Sequence, residues 1–203
     1  MRSSQSENRK ASAMLSRTEI DAIGFAEVGD DVQLSEYARF YGASRISLGN
    51  HVRIDDFCVL SAGSGGIYIG NHVHIAVFSS LIGKGEIILS DYCNISSRVS
   101  IYSSSDDYSG ESMTNPTIPE DYKQVLHASV HLGKHVIVGS GTVILPGVNV
   151  SDGVAVGALS LVKTDCPPFG IYAGNPAKRI KERSRVLLDL EAKLMASEAA
   201  SKS

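Results

Sequence analysis

Aliphatic residues recur at every sixth position along most of the chain. The longest series runs Leu132, Val138, Ile144, Val150, Val156 and Val162. Four places after each of the first five stands a second small or branched residue: Val136, Thr142, Val148, Val154 and Ser160. The same phase occurs upstream in triplets, Val28–Leu34–Phe40, Leu48–Ile54–Leu60, Ile69–Ile75–Leu81 and Leu89–Ile95–Ile101. An amphipathic helix would space its apolar positions by three and four, and a half-buried strand by two; a period of six fits neither. It fits a solenoid in which three short strands make one coil. The aliphatic of each hexapeptide then points inward, the small residue sits at a corner, and coils support one another through parallel ladders. The triplets begin at residues 28, 48, 69 and 89, which is 20, 21 and 20 residues apart against 18 for three plain hexapeptides. Each coil therefore carries two or three extra residues at a corner. The pattern predicts four coils before residue 102 and about two after residue 131.

Two stretches leave the pattern. Residues 102–129 have no six-residue phase, are largely polar and hold two proline turns, at Pro116 and Pro119; an insertion of that length in a compact scaffold is usually functional or disordered. After Pro176, Ile180, Val186, Leu187, Leu190 and Leu194 fall at helical spacing among charges, predicting an amphipathic helix of about five turns. Near the other end Ser16 and Glu19 form an S-x-x-E capping box, predicting a short helix over 18–23. The expected organisation is a tail and short capping helix over 1–24, a β-solenoid over 25–175 with its insertion at 102–129, and a C-terminal helix and tail over 176–203.

Composition narrows the function classes. A net charge of -3 gives no basic field of the kind a nucleic-acid-binding protein carries. No apolar run is long enough for a membrane span, and residues 1–16 lack the apolar stretch of a signal peptide. The three cysteines, Cys58, Cys93 and Cys166, are widely separated and form no CxxC pair, so neither a disulfide framework nor a thiolate metal site is expected, and a reducing cytoplasm is.

The stretch "VHLGKHVIVGSGTVILPGVNVSDGVAVGALSLVKTDCPPFGIYAGNPAKRI" (residues 130–180) resembles the left-handed β-helix hexapeptide acyltransferases, especially their galactoside, maltose and xenobiotic O-acetyltransferase branch. Its ending, a proline turn followed by A-G-x-P-A-x-x-I, is similar to that family's closing signature. The resemblance implies a left-handed parallel β-helix and a homotrimer with active sites between adjacent solenoids. It also implies transfer of an acetyl group from acetyl-CoA to a hydroxyl or amine of a sugar, in surface polysaccharide or glycoside metabolism, with no metal. Positions matching the coenzyme-binding coils are Gly139, Ser140, Gly157, Ala158, Ser160, Lys163 and Gly174. Lys178 and Arg179 suit the coenzyme's phosphates.

Acetyl transfer to a hydroxyl needs a base for the attacking group's proton and a donor for the developing oxyanion. Where the family places a histidine at the start of its long loop, this chain has Asp106 within "IYSSSDDYSG". Asp106 and its neighbour Asp107 are candidate bases, and in a partly buried site mutual repulsion would raise the pKa of one of them. His127, at the far end of the loop, is the alternative base. Asn94, Tyr108 and Asn115 are acceptor-side candidates. An amine acceptor would relax the demand for a strong base and so suit an aspartate.

Two other readings stay open on the same fold: a non-catalytic scaffold, and a zinc enzyme like the γ-class carbonic anhydrases. The latter needs converging imidazoles, and His72, His74, His127 and His131 are the candidates. His51, His72 and His135 each stand three places after an aliphatic, which is a corner position set by turn geometry.

Overall fold

The computed structural model describes residues 14–201. The expected tail at residues 1–13 lies outside them. The chain is a parallel β-solenoid, as the six-residue period requires. Its first face stacks Glu27–Val28, Ile46–Leu48, Ile67–Ile69, Ile87–Leu89, Val130–Leu132 and Asn149–Val150. The second stacks Gln33–Leu34, Arg53–Ile54, His74–Ile75, Asn94–Ile95, Ile137–Val138, Ala155–Val156 and Gly170–Ala173. The third runs from Arg39–Tyr41 to Leu161–Val162. Six coils are complete, and Gly170–Ala173 opens a seventh.

Pairing is in register, so like residues stack: Ile46, Ile67, Ile87 and Val130 form one column, and Ile54 and Ile75 belong to another. The inward aliphatics Leu34, Ile54, Leu60, Ile75, Leu81, Ile95, Ile101 and Ile144 are inaccessible to solvent. Each such side chain stabilises the fold by about 1.5–3 kcal/mol relative to exposure. The fourth-place residues close the corners. Ser79, Thr142 and Ser160 are buried and donate to the carbonyls of Ser96, Gly157 and Gly157 at 3.0, 3.1 and 2.7 Å. Cys58 and Cys93 do the same through sulfur, to Ala76 and Gly133 at 3.1 and 3.2 Å. Burial pushes the thiols of Cys58 and Cys166 up to about 11 and that of Cys93 up to about 12.

The helix α1 (Arg17–Ile23) begins at the predicted capping box and stops at Gly24 in the left-handed region. Its Ile20 is 1% exposed and covers the first coil, while the backbone N–H of Leu15 donates to the Leu34 carbonyl at 2.8 Å.

The C-terminal segment departs from expectation. Residues 178–182, read above as helical, form the strand Lys178–Glu182, which reverses direction and pairs antiparallel with Gly170–Ala173. The free edge of the seventh coil offers backbone partners that an isolated helical turn lacks, and pairing there overrides the helical spacing of Ile180. The helix α2 (Val186–Ser201) starts only after it. Val186, Leu190 and Leu194 of this helix stay exposed, and its Glu191 makes polar contacts with Lys134 and His135 of the fifth coil.

Candidate active site

The insertion leaves the third face after Ser100–Tyr102, at the end of the fourth coil, and returns to the first face at Val130–Leu132. Its two limbs pair antiparallel, with Ser104 opposite His127 and Ser105 opposite Leu126. The limbs are tied to the coil beneath. Ser103 Oγ donates to the Gly85 carbonyl at 2.7 Å, and the Lys84 N–H donates to Ser104 Oγ at 2.7 Å. The tip is ordered by its own side chains. The Asp107 carboxylate accepts from the backbone N–H of Ser109 at 2.8 Å, and from the N–H and hydroxyl of Ser112, both at 3.0 Å. Lys123, with its side chain 6% exposed, pairs with Glu120 at 2.8 Å.

Between the limbs lies an open groove of about 680 Å³ lined by Asp106, Asp107, Tyr108, Glu120, Lys123, Gln124, Val125, Leu126 and His127. The fold thus brings together the three candidate bases and Tyr108. Tyr108 is 93% exposed, free to meet a ligand. His127 Nδ1 lies 2.7 Å from Ser104 Oγ, which fixes the ring at one nitrogen and leaves Nε2 for chemistry.

The two aspartates are not equivalent. Repulsion does not raise Asp107: the hydroxyls and backbone N–H groups of Ser109 and Ser112 hold its carboxyl down to about 2. Hydrogen bonds to the charged form outweigh a neighbouring charge in this solvated loop. With its oxygens committed to the tip, Asp107 is a clamp for the loop and a poor proton acceptor. Asp106 is the aspartate of the pair whose carboxylate is not spent on the tip.

Other site residues lie elsewhere. Asn115 has φ +80 and its Oδ1 accepts from the Thr117 N–H and hydroxyl at 2.8 and 2.7 Å, so it builds a turn outside the groove. Asn94 is on the second face, in a row of polar residues three coils long. His74 Nε2 is 2.8 Å from Asp55 Oδ2, and His74 Nδ1 is 3.3 Å from Asn94 Oδ1. Burial works against the Asp55 charge, yet hydrogen bonds from Arg53 and His74 prevail and hold its carboxyl below the usual range. His74, tied into this row, is separated from His72, which stands in a corner stack. His131 Nε2 meets Ser90 Oγ at 3.1 Å on the first face, and His127 is on the loop. The four histidines a carbonic anhydrase-like zinc centre would use do not converge among the described residues.

The coenzyme candidates form a column at the corner between the second and third faces. Gly139 and Ser140 belong to the fifth coil, Gly157 and Ala158 to the sixth, and Gly174 follows the seventh strand of that face. A Cβ on Gly139 would come 2.5 Å from the Ala158 nitrogen, and one on Gly157 would come 3.0 Å from Ala173 Cβ, so close stacking alone demands small residues here. Ser140, Ala158, Lys163, Gly174 and Lys178 are exposed along or just beyond this column. Ser160 is not available to a ligand. It is 3% exposed, and its hydroxyl both donates to the Gly157 carbonyl and accepts from the Gly174 N–H at 3.1 Å. Arg179 is paired with Glu182. Glu120 and Lys123 were not singled out from sequence; their i,i+3 spacing was the available signal.

With this geometry in place, comparison with known proteins is decisive for the family. The chain is 54% identical over 179 residues to the dTDP-4-amino-4,6-dideoxy-D-glucose acyltransferase of Escherichia coli, covering 88% of this chain and 93% of that one. It belongs to the hexapeptide-repeat sugar acyltransferases. Among solved structures it is similar to AntD, an N-acyltransferase from Bacillus cereus in complex with dTDP and 3-hydroxybutyryl-CoA. That match has a TM-score of 0.89 and 43% identity, covering 93% of this chain and 99% of AntD. A maltose O-acetyltransferase from Clostridium difficile 630 shares the fold, with a TM-score of 0.57 and 21% identity over 83% of this chain and 75% of the other. No protein-family model matches the sequence. Like other hexapeptide-repeat sugar acyltransferases, this chain is an enzyme that uses an acyl-CoA as co-substrate. No helix among the described residues is long and apolar enough to cross a membrane.

Proposed function

We propose that this enzyme transfers an acetyl group from acetyl-CoA to the amine of a nucleotide-linked amino sugar of the dTDP-4-amino-4,6-dideoxyglucose type, in the cytoplasm. The observation that carries the reading is an aspartate, Asp106, at the groove where an O-acetyltransferase of the resembled branch would hold a histidine. The 54% identity to an acyltransferase of that amino sugar points the same way. A hydroxyl is a weak nucleophile until a base removes its proton, whereas a neutral amine attacks a thioester unaided and needs a proton acceptor only as it bonds to carbon. A carboxylate suffices for that.

In the reaction the amine nitrogen attacks the thioester carbonyl, the N–C bond forms, and the C–S bond breaks. Asp106 takes the proton that the nitrogen sheds, and the CoA sulfur leaves as thiolate and is protonated. His127 lines the same groove and shuttles that proton or orients the sugar. Tyr108 offers a ring face to the acceptor. The coenzyme runs along the small-residue column past Gly139, Ser140, Gly157, Ala158 and Gly174, with Lys163 and Lys178 toward its phosphates. Asn94 completes the acceptor side from a neighbouring subunit in a homotrimer. That assembly is supported by the apolar surface left bare on one chain: the row Tyr37, Phe57 and Phe78, and Val186, Leu190 and Leu194 of α2.

The test is thiol release from acetyl-CoA with dTDP-4-amino-4,6-dideoxyglucose beside maltose and a galactoside. Turnover with the amino sugar alone is expected. Turnover with the hydroxyl acceptors and none with the amino sugar overturns the reading.

A further inference from the structure

The ion pair in the insertion is unequal. The Lys123 side chain is 6% exposed and that of Glu120 is 86% exposed, with ammonium and carboxylate 2.8 Å apart. The backbone around Lys123 is fixed on both sides. The Met113 N–H donates to the Tyr122 carbonyl at 2.8 Å, the Lys123 N–H to the Glu120 carbonyl at 3.0 Å, and the Gln124 N–H to Ser112 Oγ at 3.2 Å. The Glu120 carboxylate has no polar partner other than Lys123 among the described residues.

A nearly buried ammonium left without a counter-charge is costly, so Lys123 has to keep an anion beside it. Glu120 meets that need from solvent, where its side chain can swing away once another anion takes its place. The Lys123 ammonium holds the Glu120 carboxyl below its usual range, and Lys84 and His127 add to the effect, so three basic side chains act on one exposed carboxylate.

The remaining carboxylates of the groove stand differently. Asp107 has its oxygens committed to Ser109 and Ser112, which leaves Asp106 open to a ligand. One open carboxylate and one nearly buried ammonium in a single groove match a molecule with an amine at one end and a diphosphate at the other. An ammonium pairs well with phosphate oxygens, and a diphosphate brings more negative charge than the one carboxylate it displaces.

We propose that Lys123 holds the diphosphate of the sugar nucleotide and that Glu120 is a stand-in anion which the substrate displaces. The inference rests on the reading of the acceptor as a nucleotide-linked amino sugar. It makes Lys123 a specificity residue: a free sugar, with no diphosphate, has nothing with which to dislodge Glu120.

The experiment is calorimetric titration of full-length wild type, Lys123→Met and Glu120→Gln with dTDP, inorganic pyrophosphate and CoA. CoA carries a diphosphate of its own, so it separates the two sources and also reports whether each variant is folded. Lys123→Met is expected to bind dTDP at least ~10-fold more weakly and Glu120→Gln to bind it more tightly, with CoA affinity unchanged in both. Equal dTDP affinity in wild type and Lys123→Met overturns the inference and leaves the amino-sugar reading standing. So does a weakening by Lys123→Met that falls on CoA and spares dTDP, which assigns the lysine to the coenzyme. If wild type takes up pyrophosphate through Lys123 but no dTDP, the diphosphate site stands and the nucleotide reading falls. If wild type binds neither, both fall.

Discussion

His135 Nε2 and Glu191 Oε2 stand 2.7 Å apart, joining the fifth coil to a helix 56 residues further along the chain. The hydrogen bond from His135 holds the Glu191 carboxyl below its usual range, and Lys134 adds to the effect. A carboxylate lowered in the fold stabilises it above the ordinary carboxylate range, and that contribution is lost as pH falls through the lowered value. Glu191→Gln is therefore expected to cost about 1.5–3 kcal/mol near neutrality. Urea unfolding at neutral pH and again near the acid limit checks this, since the gap between wild type and variant must close in acid.

Asp106→Asn should cut kcat about 10²-fold with KM for acetyl-CoA little changed, because a proton acceptor is lost without touching the coenzyme. Steady-state thiol release measures it. Full activity in the variant transfers the base to His127.

Asp107→Asn should behave differently. Removing the charge that holds Ser109 and Ser112 loosens the tip, so KM for the acceptor rises more than kcat falls. With its carboxyl near 2, Asp107 also contributes no inflection to the pH–rate profile above about pH 3.

Ser160→Ala should destabilise the protein by about 1–2 kcal/mol, since it leaves the Gly174 N–H short of an acceptor inside the corner. Chemical denaturation reads the loss, and KM for acetyl-CoA should be unmoved. A rise in KM without loss of stability would return Ser160 to the coenzyme site.

The thiols of Cys58, Cys93 and Cys166, buried and raised to about 11 or 12, should resist alkylation in native protein at neutral pH and react together on unfolding. Mass spectrometry after iodoacetamide treatment distinguishes the two conditions.

The solenoid was legible in the sequence because its period is written in side chains that have one place to go: Ile54, Ile75 and Ile95 stack inward for the same reason that they recur. The corner position of His51, His72 and His135 was legible too. Tyr92, three places after Leu89, stacks between His72 and His135 at the same corner and obeys the same spacing. The strand at Lys178–Glu182 was hidden. Local spacing favours a helix, and the pairing partner exists only once the seventh coil has formed. That Asp107 is lowered and not raised by its neighbour has a related reason. Adjacency in sequence says nothing of the Ser109 and Ser112 donors that fold back on one of the two. That the insertion gathers Asp106, Tyr108 and His127 followed from its being one loop; the exclusion of Asn115 from the groove depended on a turn that only the backbone reveals.

The reversal at Lys178–Glu182 also sets the length of the object. A stack of parallel coils has no intrinsic last member, and an end left bare would accept the start of another molecule and grow into a fibre. Here the chain lays a fully exposed, mostly charged strand across that end and runs it the wrong way for a further coil. Polymerisation is refused by direction and charge together, and the stack remains a molecule of fixed size.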